Sequence, residues 1–222
     1  PKSFPYMVKL FSKQSGVTVV ELVVVIAIVG LVSSVILFNY SDFSTNVSIR
    51  NLSQEVALSI RKSQTFATSV QSLSSGGAPS YPSFGMVFSM ESATFAFLPT
   101  PKRFISFADI PPSVGVSPNK KYDSGGSICG SVGIGEECIE AISITSADTL
   151  IGIDTDATGP VTTGTVSITF RRPSPDAIIC YIPAGQSDCI AQIPSYVKLT
   201  FQSAKGLKRL VSVWNTGQIN VE

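Results

Sequence analysis

Apolar and polar positions follow three patterns along this chain, and each predicts a different element. From Val17 to Phe38 the residues are apolar or small, and Glu21 is the only charge among 22 positions. As a helix the run spans roughly 33 Å, about the hydrocarbon thickness of a bilayer. Val and Ile dominate it, which favours strand, but no strand of that length is expected. Residues 17–38 are therefore read as a transmembrane helix. Beyond Phe38 the chain turns polar yet keeps a helical period. Ile49, Leu52, Val56, Ile60, Ala67 and Val70 recur at spacings of threes and fours, with Ser63 in the remaining place. Residues 39–73 are predicted to be an amphipathic continuation of the same helix, ending near Leu73 and packing against a sheet.

The Gly/Ser/Pro cluster SLSSGGAPSYP stops that helix, and the period then shifts toward two. Candidate strands are Phe84–Met90, Thr94–Leu98, Phe104–Phe107, Ala141–Thr145, Leu150–Asp154, Thr165–Arg171, Ala177–Ile182, Tyr196–Gln202, Arg209–Trp214 and Gln218–Val221. WNTGQI reads as a hairpin turn with Asn215 and Gly217 available for positive φ. Segments Pro111–Gly135 and Asp154–Gly164 read as loops. No repeat and no linker divides residues 74–222, which are expected to form one β-rich globular domain.

The flanks orient the membrane helix. Lys2, Lys9 and Lys13 precede it without an acid, and the next basic residue is Arg50. That bias puts the N-terminus in the cytoplasm and the β-rich domain outside. A cleavable secretory signal has a shorter core followed by a small-residue site; here the small residue, Gly16, comes before the run.

Composition narrows the function. Sixteen basic and fifteen acidic residues give a net charge of +1, with no electrostatic footprint for nucleic acid. Four cysteines fall in two spaced pairs, Cys129/Cys138 and Cys180/Cys189. Outside the cytoplasm they favour disulfides; three connectivities are open, and local pairing within each stretch is preferred. A zinc site is the rival, but the spacing is not C-x-x-C and the chain has no His. The absence of His also excludes Ser-His-Asp and Cys-His catalysis in their usual form. GGSICGSVGIG lacks the Lys and strand-to-helix setting of a phosphate loop. DTDATG lacks the later Glu of a calcium loop and reads as a polar turn. Lys120 and Lys121 read as a solvated pair. No catalytic residue, metal or cofactor is expected.

One motif carries more. SGVTVVEL, a Gly after a basic stretch, then an apolar residue and an acid five positions past the Gly, resembles the processing site of the type IV pilin and pseudopilin superfamily. The resemblance implies a leader over residues 1–16, cut by prepilin peptidase between Gly16 and Val17, with N-methylation of Val17. Val17 departs from the usual Phe or Met at that place. It further implies that Glu21 meets the N-terminal ammonium of a neighbouring subunit in a filament. LSQEVALSIRKSQTFA, SFGMVFSM and RLVSVWNTGQINV are similar to GspH/FimT-type minor pilins and pseudopilins. The implied fold is α+β, a long N-terminal membrane-spanning helix packed on an antiparallel β-sandwich or sheet. The implied protein is anchored in the inner membrane and assembled with other pilin or pseudopilin subunits into a type IV pilus or type II secretion pseudopilus. The alternative is a FimT-like minor pilin that binds DNA or a surface ligand. Basic residues that such relatives carry after the final turn are absent from TGQINVE, and Lys205, Lys208 and Arg209 alone give weak, salt-sensitive attraction.

Overall fold

The computed structural model of the chain describes residues 16–69, 72–75, 78–93, 95, 98–111, 117–124, 126, 129–130, 132 and 136–222. Its elements are α1 (Val19–Thr68), β1 (Leu73–Ser75), β2 (Ala78–Ser80), β3 (Ser83–Ser89), β4 (Arg103–Asp109), β5 (Cys138–Ser143), β6 (Thr149–Thr155), β7 (Gly159–Val161), β8 (Thr165–Phe170), β9 (Ala177–Ile182), β10 (Tyr196–Gln202), β11 (Lys208–Trp214) and β12 (Ile219–Val221). The chain divides into two units, Pro1–Phe43 and Ser44–Glu222.

In the first unit, Thr18 caps α1. Its hydroxyl oxygen accepts the Glu21 N–H at 3.2 Å and its carbonyl accepts the Leu22 N–H at 3.1 Å, satisfying donors that a helix start leaves open. From Val17 to Leu37 every residue is exposed. An apolar helix bare on all sides has no core of its own to join.

The second unit is built differently. Its part of α1 buries Ile49, Leu52, Ser53, Val56, Ala57, Ile60, Ser63 and Ala67, one stripe at helical spacing. Val70, expected on that stripe, lies outside the described residues. Two antiparallel five-stranded sheets, ordered β12-β11-β10-β6-β7 and β5-β4-β3-β8-β9, supply the rest of a single apolar cluster. Val197, Leu199 and Phe201 alternate inward along β10, as a strand with one covered face does. In β3 and β4 every residue after the first is buried. Their second face is covered by a smaller cluster of Val87, Ile105, Phe107 and Cys138, with Tyr122 and Cys129 packed on it.

Ser63 on the helical stripe is buried with its hydroxyl satisfied. It donates to the Ser59 carbonyl at 3.3 Å and reaches the Gly85 carbonyl at 3.5 Å. Gly85 itself is crowded: a Cβ there would sit 2.6 Å from the Ile168 carbonyl oxygen and 2.8 Å from the Phe107 ring. Two side chains fasten α1 to the loops. Ser48 donates to Asp148 at 2.6 Å, and Gln64 donates to the carbonyls of Pro175 and Gly217 at 2.9 and 3.0 Å.

Several expectations need correction. The helix stops at Thr68 rather than near Leu73, which lies in β1 paired with β2. Thr65 and Thr68 hydroxyls bond the carbonyls of Arg61 and Gln64, and Ser69 bonds that of Phe66, so side chains compete for the backbone of the last turn. Phe95 and Leu98, described from the candidate strand Thr94–Leu98, lie outside any strand; their carbonyls accept the Arg103 guanidinium instead. The loop expected over Asp154–Gly164 contains the end of β6 and all of β7. In WNTGQI only Gly217 takes positive φ, at 80°, closing the turn with a 2.8 Å bond to the Trp214 carbonyl.

Candidate functional site

The segment that singles itself out is the start of α1. Gly16 and Val17 stand exposed just ahead of the helix. A Cβ at Gly16 would meet nothing within 4 Å, and its φ is not in the left-handed region. Nothing among the described residues requires glycine there. Glu21 lies in the first turn of α1, where the helix dipole favours an acid. Thr18 already caps its backbone N–H, and among the described residues the Glu21 carboxylate has no hydrogen-bond or ion-pair partner.

The other residues singled out in the sequence have structural places. Cys129 is joined to Cys138, at the start of β5, and Cys180, in β9, to Cys189. In DTDATG, both carboxylate oxygens of Asp156 accept the Ser195 N–H, at 2.8 and 3.0 Å, and hydrogen bonds from Ser195 hold its carboxyl below the usual range. Thr155 and Thr158 hydroxyls meet at 2.8 Å, and Gly159 turns the chain at φ 66°. That segment is the β6–β7 turn. Among the described residues no cluster of three or more metal-ligating side chains occurs. After the last turn, Asn220 donates to Glu222 at 3.1 Å and the strand carries no basic residue.

Two features were not legible in the sequence. Of Lys120 and Lys121, read as a solvated pair, Lys120 is exposed and Lys121 is not. Lys121 is largely buried and bonds the Ser187 carbonyl at 2.8 Å, with Asp188 and Asp123 at 3.4 and 3.9 Å. Lys120 turns the other way, at φ 66°, into a cleft with Arg171 and Arg172. The second feature is a buried pair of acids. Asp109, at the end of β4, accepts the N–H groups of Asn119 and Lys120, both at 3.2 Å. Glu137 accepts those of Ile110 and Asp123 at 3.1 and 2.7 Å. Burial pushes Asp109 up to about 6 and Glu137 up to about 8, against the opposing pull of those N–H bonds. The acids clasp residues 117–124 against the sheet.

Comparison with known proteins bears on the first of these regions. Residues 11–37 match the prokaryotic N-terminal methylation motif. This is the prepilin signature of type IV pilins and pseudopilins, and the chain carries it. It marks a pilin-like protein, anchored in a membrane through its apolar helix, and points to a structural subunit. No curated protein and no solved structure matches the chain.

Proposed function

We propose that this chain is a minor pilin or pseudopilin of the GspH/FimT type, a subunit of a type IV pilus or of a type II secretion pseudopilus. In this reading the bond between Gly16 and Val17 is cut by prepilin peptidase and Val17 is methylated. The helix then leaves the inner membrane sideways into a bundle of like helices. The observation that carries it is the methylation motif laid over an apolar helix exposed on every side. Such a surface is stable in lipid or in a helix bundle, and a filament is built of both in succession.

Glu21 is the register device of that bundle. A lone carboxylate in an apolar run costs about 2.5–3.5 kcal/mol at mid-bilayer, less near an end. Its cost is offset where it meets the ammonium of a neighbour's Val17, since neither charge is tolerated alone in an apolar filament core. The N-terminus lies in the cytoplasm, as Lys2, Lys9 and Lys13 indicate, and the β-rich unit lies outside, where its disulfides are stable.

Coexpression with a competent prepilin peptidase tests the reading. Intact-mass spectrometry should place the new N-terminus at Val17, with one added methyl group. Gly16→Leu should abolish cleavage while leaving the fold intact, because nothing crowds that position. Cutting at another bond, or no cutting of the natural sequence, refutes the assignment.

A further inference from the structure

At one end of the sheet β5-β4-β3-β8-β9, where β3 begins and both β4 and β8 finish, lies a cleft of about 680 Å³. Its size falls within the roughly 300–1,000 Å³ of small-ligand sites. Lys120, Arg171 and Arg172 line it, and among the described residues Asp109 is its one acid. Lys120 and Arg171 form no ion pair among the described residues. Three cations against one carboxylate leave the lining positive in a chain whose net charge is only +1.

The Lys120 backbone and the Arg172 side chain are held in place. Lys120 is the one non-glycine residue with positive φ among the described residues, and Asp109 fixes that conformation by accepting its N–H. A lysine in the left-handed region is costly, and such strain persists where the surroundings impose it, often at binding sites. Arg172 donates to the Tyr81 carbonyl at 3.3 Å and lies 4.9 Å from the centre of the Tyr81 ring. Tyr81 stays 48% exposed. It offers an apolar plate with a charge already stacked at its side. Pro82, Pro118 and Pro173 make the walls stiff, which lowers the entropy a ligand must overcome. Ser83 and Ser117 add hydroxyls at the rim.

We propose that this cleft binds a carboxylated saccharide. The cations take the carboxylate, Tyr81 and the prolines take a face of the sugar ring, and the serines meet its hydroxyls, while buried Asp109 holds the Lys120 backbone from behind. A nucleic-acid backbone fits less well. It asks for cations spread along an extended track, whereas these three converge on one cleft. The reading does not depend on the filament assignment.

The test is calorimetric titration of the full chain, disulfides intact, in detergent micelles. The probes are trigalacturonate, a hyaluronan tetrasaccharide, sialyllactose, the methyl ester of trigalacturonate and a dT12 oligonucleotide. At least one acidic saccharide should bind, with affinity reduced about tenfold or more in Arg171→Gln and in Lys120→Asn, as loss of a hydrogen bond to a charged group implies. Arg171 is exposed and Asn tolerates the left-handed region, so both variants should fold; circular dichroism checks this. Methyl esterification should weaken binding to a similar degree. Arg209→Gln, which removes a cation elsewhere, should leave affinity unchanged. The proposal fails if none of the three acidic saccharides binds, or if Arg209→Gln weakens binding as much as Arg171→Gln. It fails equally if dT12 binds and shows the Arg171 and Lys120 dependence expected of the sugar.

Discussion

The two halves of α1 are one continuous helix but obey different rules. Before Phe43 the helix is more apolar, and none of its described residues is buried. After Ser44 it is more polar, yet Val56 and Ile60 are completely buried. Apolar content therefore does not predict burial here; arrangement does. A stripe of apolar residues finds its partner within the chain, whereas an apolar surface on all sides finds it in lipid or in other helices. The β-branched residues of the first half make the same point. Their strand preference has no effect, because a bilayer leaves the backbone no partner but its own helix. Glu21 in the first half and the serines in the second also differ. Ser53 and Ser63 bond backbone carbonyls within the unit, whereas the Glu21 carboxylate has no partner among the described residues.

The sharpest way to break this comparison is at Glu21. If its partner is a neighbour's N-terminal ammonium, Glu21→Ala still inserts and is still cut at Gly16, but fails to assemble. Each unpaired Val17 ammonium entering the filament core then costs about 3–5 kcal/mol. Glu21→Gln should fall between, keeping shape and a hydrogen bond without charge. The fraction of subunit recovered in sheared filaments is the measurement. Normal recovery of Glu21→Ala would show that the acid does not set register.

A matched pair of truncations tests the halves directly. Ile60→Ala removes a fully buried side chain from the core and should lower the stability of the β-rich unit by about 2–5 kcal/mol. Ile28→Ala removes the same atoms from an exposed helix surface and should leave that unit's stability unchanged. Urea denaturation of the full chain in detergent, followed by the fluorescence of its only tryptophan, Trp214, reads both. Equal shifts would mean that the two halves are not energetically distinct.

The acids of the outer layer predict an unusual pH response. Both Asp109 and Glu137 have carboxyls raised by burial, to about 6 and about 8, so the folded state binds protons that the unfolded chain has released. For raised carboxyls the stabilising contribution is fully present below their unfolded values and is lost as pH climbs through the folded ones. The groups facing them include Asp123 and Lys120, whose effects on Asp109 oppose each other. Between pH 7 and pH 5 the β-rich unit should thus gain on the order of 2 kcal/mol, since one group contributes at most about 1.4 kcal/mol per pH unit. Glu137→Gln should flatten the profile. A denaturation midpoint that falls on acidification over this range contradicts the assignment. Exposed Asp156, with its carboxyl lowered, acts in the opposite sense, but only below its ordinary range.

How much of this was visible beforehand depended on whether a feature is local. The membrane run, the helical stripe from Ile49 to Ala67 and most strands are periodic in sequence, so they could be read directly. The stop at Thr68 was not, because three hydroxyl side chains turning back on the last turn leave no periodic trace. Strands β1, β2 and β7 have three residues each, too few to show a period of two. The cleft was invisible for a different reason. Tyr81, Lys120 and Arg171 are separated by dozens of residues and meet only because β3, β4 and β8 end side by side. At the helix start the sequence was the stronger guide: the methylation motif over residues 11–37 is read from sequence, while no contact among the described residues marks Gly16.

The smallest effect concerns the clasp between the packed half of α1 and the closing hairpin. Gln64 joins two loops distant in sequence, through the carbonyls of Pro175 and Gly217. The hairpin is shaped to receive it: a Cβ on Gly217 would overlap both the Pro175 carbonyl oxygen and the Gln64 amide, so glycine is required there by space as well as by its φ of 80°. Gln64→Ala removes two neutral hydrogen bonds at a half-exposed site, where water can satisfy the carbonyls in part. It should destabilise the β-rich unit by only about 1 kcal/mol. Gly217→Ala should cost more, because it adds backbone strain and forces Gln64 aside. The effects should not add in the double variant, since with Gln64 gone one of the atoms in the way of the new methyl is gone too. A double-mutant cycle by urea denaturation reads the coupling. Strict additivity would mean that the helix and the hairpin touch there without supporting each other.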